Sequence, residues 1–152
     1  MIEYFIIKDG TIESIKNPQN IADLTWVDVC DPSAEEIKLV STMFSINIHD
    51  VEDIMDPTER PRFNFDFVRK NQFLLLRSLK SDKLDLDKVE NPMYPIGIFL
   101  TPKGKIVTVN QIESKEFQNI IKILNVKQIK QPIYLFLELI QAIFNRLDSM
   151  SH

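Results

Sequence analysis

Apolar and polar positions separate this chain into strand-like and helix-like segments. Ile2 to Ile7 is almost continuously apolar and predicts a strand. Asp9-Gly10 follows as a strong two-residue hairpin signal, with Thr11 to Ile15 as the partner strand. Asn17 to Asn20, with Pro18, predicts a loop, and Trp26 to Val29 a short apolar strand. Ser33 and Glu36 then stand at capping-box spacing and predict a helix start. Ile37, Val40, Met43 and Phe44 recur at helical spacing and give that helix its inner face. A short helix from Asp50 to Met55 is expected next, ended by Pro57 and Pro61.

Phe63, Phe65 and Phe67 alternate with polar residues and predict a period-two strand. Arg69 to Gln72 reads as a turn and Phe73 to Leu79 as the returning strand. Its unbroken run Phe73-Leu74-Leu75-Leu76 suggests a strand buried on both faces. Ser81 to Asn91 is charged and reads as an exposed connection. Met93 to Leu100 and Ile106 to Asn110 predict two strands around a Pro102-Lys103-Gly104-Lys105 turn. Helices are expected from Ser114 to Leu124, and from Pro132 to about Asp148. Hairpins and crossovers together predict an α/β fold. Its mixed β-sheet is sandwiched between helices (α/β/α) in residues 1–130, and residues 131–152 form a helix that follows it.

The last helix is apolar over most of its circumference. Glu138, Gln141, Asn145 and Asp148 form its one polar stripe. Such a helix is buried in a core or at an interface with another subunit.

Composition removes several classes of chemistry. The 152 residues include three glycines, all far apart, so no glycine-rich phosphate loop is present. One cysteine, Cys30, excludes an internal disulfide and fits a reducing compartment. Two histidines, His49 and His152, exclude a histidine-rich zinc site and most histidine acid–base machinery. With 18 basic against 22 acidic side chains, the net charge of −4 exerts no general pull on nucleic acid. An enzyme is therefore not expected, and neither is a nucleic-acid partner.

The acid-rich stretch from His49 to Arg62 carries the candidate chemistry. Asp50, Asp53 and Asp56 would share one face of a short helix. Mg²⁺ takes one or two carboxylates and keeps several waters, so such a face could hold it. The plainer alternative has Asp50 capping the helix, the other acids solvated, and Arg60 or Arg62 pairing with one of them. Composition alone favours that alternative. Arg60-Pro61-Arg62 itself reads as a rigid turn feeding a strand rather than a phosphate site.

In order, these segments resemble the cytoplasmic N-terminal domain of CorA-type magnesium transporters. The resemblance runs through Trp26-Val27-Asp28-Val29, Pro32, Glu35-Glu36 and Phe44 to His49. It continues through Val51-Glu52-Asp53-Ile54, Arg60-Pro61-Arg62 and the Phe63 to Leu76 hairpin. It implies a regulatory, divalent-cation-sensing domain on the cytoplasmic side of the membrane. It also implies assembly as a homopentamer and attachment to the membrane only through stalk and spanning helices that this chain does not contain. By the same match, Glu52 and Asp53 hold regulatory Mg²⁺ (Co²⁺ is a second candidate) against a neighbouring subunit's stalk. Where the family often has aspartates on the last helix, this chain has Gln141 and Asn145, which weakens any second cation site. The chain alone is expected to bind Mg²⁺ weakly. A zinc-transporting relative, or a free-standing binding or assembly module with this fold, are the alternatives.

Overall fold

The structure is a computed structural model that describes residues 1–79, 93–111 and 132–151. The expected connection at 81–91 and the expected helix at 114–124 lie outside the described residues. The strands are β1 (Ile2–Lys8), β2 (Thr11–Ile15), β3 (Trp26–Cys30), β4 (Arg62–Phe65), β5 (Gln72–Leu79), β6 (Met93–Leu100) and β7 (Ile106–Asn110). The helices are α1 (Ala34–Phe44), α2 (Ile48–Ile54) and α3 (Pro132–Ser151). A 3₁₀ turn at Ile21–Asp23, capped by Asn20, interrupts the stretch before β3.

Among the described residues the strands form one seven-stranded sheet in the order β2-β1-β3-β7-β6-β5-β4. Five of its neighbouring pairs are antiparallel, and β3 and β7 run parallel. The sheet is mixed, as expected. Asp9 (φ 52°) and Gly10 (φ 79°) both sit in the left-handed region, which is what a tight β1–β2 turn requires.

Side-chain alternation sends two apolar cores to opposite faces. Val27, Val29, Phe73, Leu75, Phe99, Val107 and Val109 meet Val40 and Phe44 of α1 and Val51 and Ile54 of α2. Phe5, Trp26, Leu76, Ile96, Ile98 and Ile106 meet Leu135, Phe136, Leu139 and Ile143 of α3. Helices therefore cover both faces of the sheet, and among the described residues the layer opposite α1 and α2 is α3, which the sequence reading places after the sandwich rather than in it. Burying one such side chain contributes about 1.5–3 kcal/mol, so these two layers supply most of the driving force.

One polar chain crosses the α3-side core. Trp26 Nε1 donates to Thr108 Oγ1 (2.9 Å), and Thr108 Oγ1 donates to Asp28 Oδ1 (2.6 Å). Thr108 is fully buried, so this pairing fixes the β3–β7 register on that face.

Helix α1 starts where the capping box predicts. Ser33 Oγ accepts from Glu36 N (3.1 Å), and Glu36 Oε1 accepts from Ser33 N (3.0 Å). The strand from Phe73 is buried on the α1/α2 face at Phe73 and Leu75 and on the other at Leu76, with Leu74 half-buried. Helix α3 is buried on one side only. Ile133, Tyr134, Leu137 and Phe144 stay exposed, and Gln141 Nε2 reaches Asn145 Oδ1 (3.5 Å) along the polar stripe.

Candidate functional site

Helix α2 begins at Ile48 rather than Asp50. Asn47 is its cap, its side chain accepting from His49 N (3.0 Å), so Asp50 does not cap the helix as the sequence suggested. The helix ends at Ile54, which takes Asp56 off the shared acidic face. Asp56 instead accepts from the backbone and hydroxyl of Thr58 (2.9 and 2.7 Å). Those bonds, the backbone one foremost, hold its carboxyl below the usual range.

Three contacts seat α2 against the sheet. Ile54 is fully buried over Gly97 of β6, where any side chain would collide with it. Gln111, just after β7, donates to the terminal carbonyls of Ile54 and Met55. Arg77 of β5 donates to the carbonyls of Pro57 and Glu59 (2.8 and 2.9 Å) and fixes the loop that follows.

This seating gathers three acids around one cation. Arg62, the first residue of β4, bonds Glu59 (2.6 Å), Asp53 (2.8 Å) and Asp50 (3.3 Å). Its guanidinium also lies 5.3 Å from the Phe73 ring centroid. Burial works against the Arg62 charge, yet the bonds and charges of Asp53, Asp50 and Glu59 outweigh it and raise its pKa. For Asp50 the balance reverses: burial dominates the attraction of Arg62 and raises its pKa.

The sequence-predicted metal residues part company here. Asp53 is turned to Arg62 through Oδ2, and its side chain is 43% exposed. Glu52 points elsewhere, toward His49 (3.7 Å), and is more exposed. Among the described residues, no three His, Cys, Asp or Glu side chains are grouped to hold a metal ion. Glu52 and Asp53 thus form no complete coordination set among the described residues. Asp53 keeps one carboxylate oxygen that Arg62 does not engage. Sequence reading anticipated one partner for Arg62 and missed the other two.

The family profile of CorA-like Mg²⁺ transporter proteins matches residues 22–151, from the turn before β3 to the end of α3. The chain belongs to this family. Among CorA relatives, the magnesium transport protein CorA of Campylobacter jejuni is 29% identical over 119 residues. That match takes in 72% of this chain and 33% of the relative, so the chain spans about a third of the length of that curated protein. The fold is that of the soluble domain of CorA from Methanocaldococcus jannaschii (TM-score 0.73, 17% identity, 99% of this chain and 58% of that one). It is also similar to the cytoplasmic domain of ZntB from Vibrio parahaemolyticus (TM-score 0.70, 16% identity, 97% of this chain and 59% of that one). Among the described residues of this CorA-family chain, no helix is long and apolar enough to cross a membrane.

Proposed function

We propose that this chain is the cytosolic, divalent-cation-sensing domain of a CorA-type channel, with Mg²⁺ as the ion sensed and Co²⁺ as a second candidate. The observation that carries the reading is Asp53. It stands half-exposed on a helix anchored to the sheet, tethered to Arg62 by one oxygen only. Glu52, one residue away, adds a second exposed carboxylate. Carboxylates facing those of a neighbouring subunit repel each other, and a bridging cation removes that repulsion. Loss of the cation would loosen the interface and bias the channel toward opening. A sensor working near millimolar Mg²⁺ needs only about 4 kcal/mol of binding, which a shared, water-retaining site supplies.

In this reading α3 leads toward the stalk of a homopentamer, and its exposed Ile133, Leu137 and Phe144 face other helices of that assembly. The likeness to ZntB favours a zinc-transporting relative as the second reading, with the same domain architecture. Two experiments test the proposal. The parent reading frame should encode two apolar stretches of about 20 residues after position 152, and a frame without them overturns the channel assignment. Limited proteolysis of the assembled protein should show protection that rises with Mg²⁺, and protection indifferent to Mg²⁺ overturns the sensing role.

A further inference from the structure

We propose that Arg62 sets the threshold of cation sensing: by holding one oxygen of Asp53, it weakens the grip of that carboxylate on Mg²⁺ and moves the response to higher concentrations of the ion. The proposal rests on the cation-sensing reading of Asp53 and adds the residue that regulates it.

Arg62 is one cation facing three carboxylates. Its Nη1 donates to Glu59 Oε1 (2.6 Å), and its Nη2 donates to Asp53 Oδ2 (2.8 Å) and Asp50 Oδ1 (3.3 Å). Asp53 is the most open of the three, its side chain 43% exposed against 17% for Asp50 and 27% for Glu59. An ion arriving from solvent therefore meets Asp53 first, with one of its oxygens already engaged.

The guanidinium is held in place rather than free to withdraw. Arg62 opens β4 and pairs in register with Leu75 of β5. Its head lies near the Phe73 ring, and its side chain is mostly buried. Glu59 is steadied in turn by Arg77, which donates to its backbone carbonyl. A cation fixed beside a carboxylate reduces the electrostatic gain of bringing a second cation there. The affinity of oxygen sites follows the charge their ligands present, and Arg62 takes up part of the charge of Asp53.

Glu59 acts in the opposite sense. Its bond to Arg62 is the shortest of the three, so it draws guanidinium charge away from Asp53. Removing the charge of Arg62 then tightens Mg²⁺ binding, and removing that of Glu59 weakens it. A purely structural role for Arg62 gives another sign, because disordering α2 would loosen the site.

The test is the Mg²⁺ midpoint for protection from proteolysis in the assembled protein. Arg62→Gln should lower it about fivefold, the scale of one exposed charge pair, and Arg62→Lys, which keeps the charge, should bring it back toward the parent. Glu59→Gln should raise it about twofold. In an Asp53→Asn background Arg62→Gln should leave the midpoint unchanged, since Arg62 acts through Asp53. A midpoint unchanged or raised by Arg62→Gln in folded protein would overturn the proposal, as would an equal drop from Arg60→Gln, two residues away and exposed. Should Arg62→Gln not fold, a Glu59→Gln midpoint at or below that of the parent overturns it instead. In each of these cases a midpoint raised by Asp53→Asn leaves the sensing reading standing. A midpoint indifferent to Asp53→Asn overturns both.

Discussion

Replacing Gly97 with alanine should push α2 off the sheet and cost about 2 kcal/mol, in the range for overpacking a filled core. A methyl group built on Gly97 would lie 2.7 Å from Ile54 Cγ1, closer still to Ile54 Cδ1, and 3.1 Å from Phe73 Cε1. Ile54 is wholly buried and Phe73 is stacked on Phe99 at 4.5 Å, so neither side chain has room to retreat. The sign of the effect is itself diagnostic. Gly97 is not in the left-handed region, and at such a position alanine without a clash would stabilise by about 0.4–1 kcal/mol. In a domain of this size, 2 kcal/mol lowers the melting temperature by about 4–8 °C. Thermal and denaturant unfolding of Gly97→Ala, Ile54→Val and the double variant form the assay. Ile54→Val alone should cost about 1 kcal/mol, yet it should recover part of the loss in the Gly97→Ala background. A Gly97→Ala variant as stable as the parent, or more so, would refute this packing of α2.

Three further outcomes follow from the ion network and the core. Arg62→Ala should destabilise by about 1–3 kcal/mol, and Mg²⁺ should raise its melting temperature more than it raises that of the parent, because three carboxylates lose their shared cation; an equal Mg²⁺ response would contradict this. The Asp50 carboxyl should titrate above its ordinary 3.8, as read from its side-chain carbon resonance. Its folded-state affinity for the proton exceeds the unfolded one, so its stabilising contribution is full below the ordinary value and disappears as pH rises through the raised one; an inflection at or below 3.8 would rule out burial as the dominant influence. Thr108→Val keeps the side-chain volume but removes the acceptor of Trp26 Nε1 and a donor to Asp28. It should cost about 1–3 kcal/mol in denaturant unfolding, and a neutral result would show that the polar chain does not support the core.

Local signals were legible wherever neighbours in sequence are also partners in space. Asp9-Gly10 marks its hairpin, and Ser33 with Glu36 marks its cap, because each acts within three residues. The alternation in Phe63 to Phe67 misled, since β4 stops at Phe65 and Phe67 lies in the turn. Asp66 accounts for this by accepting from Val68 N and Arg69 N (both 2.9 Å), which pulls the turn ahead of the expected Arg69 to Gln72. The early start of α2 was missed because Asp50 offered itself as the cap, whereas Asn47, three residues earlier, fills that role. The candidate site was legible in its residue types and not in its wiring. That Arg62 gathers Glu59, Asp53 and Asp50 depends on β4 pairing with β5 and on Arg77 holding the Pro57 and Glu59 carbonyls, contacts set by tertiary packing. The parallel β3–β7 pair was equally out of reach, since its polar bond joins Asp28 to Thr108, 80 residues apart.

In the proposed function, Asp53 senses Mg²⁺ from the surface of an anchored helix. The most direct measurement is the Mg²⁺ midpoint for protection from proteolysis in the assembled protein, compared between the parent and Asp53→Asn. The substitution keeps the shape of the side chain while removing its charge. Asp53→Asn should raise the midpoint about tenfold or more, the equivalent of about 1.4 kcal/mol of lost binding. An unchanged midpoint, with the variant folded and assembled, would contradict it.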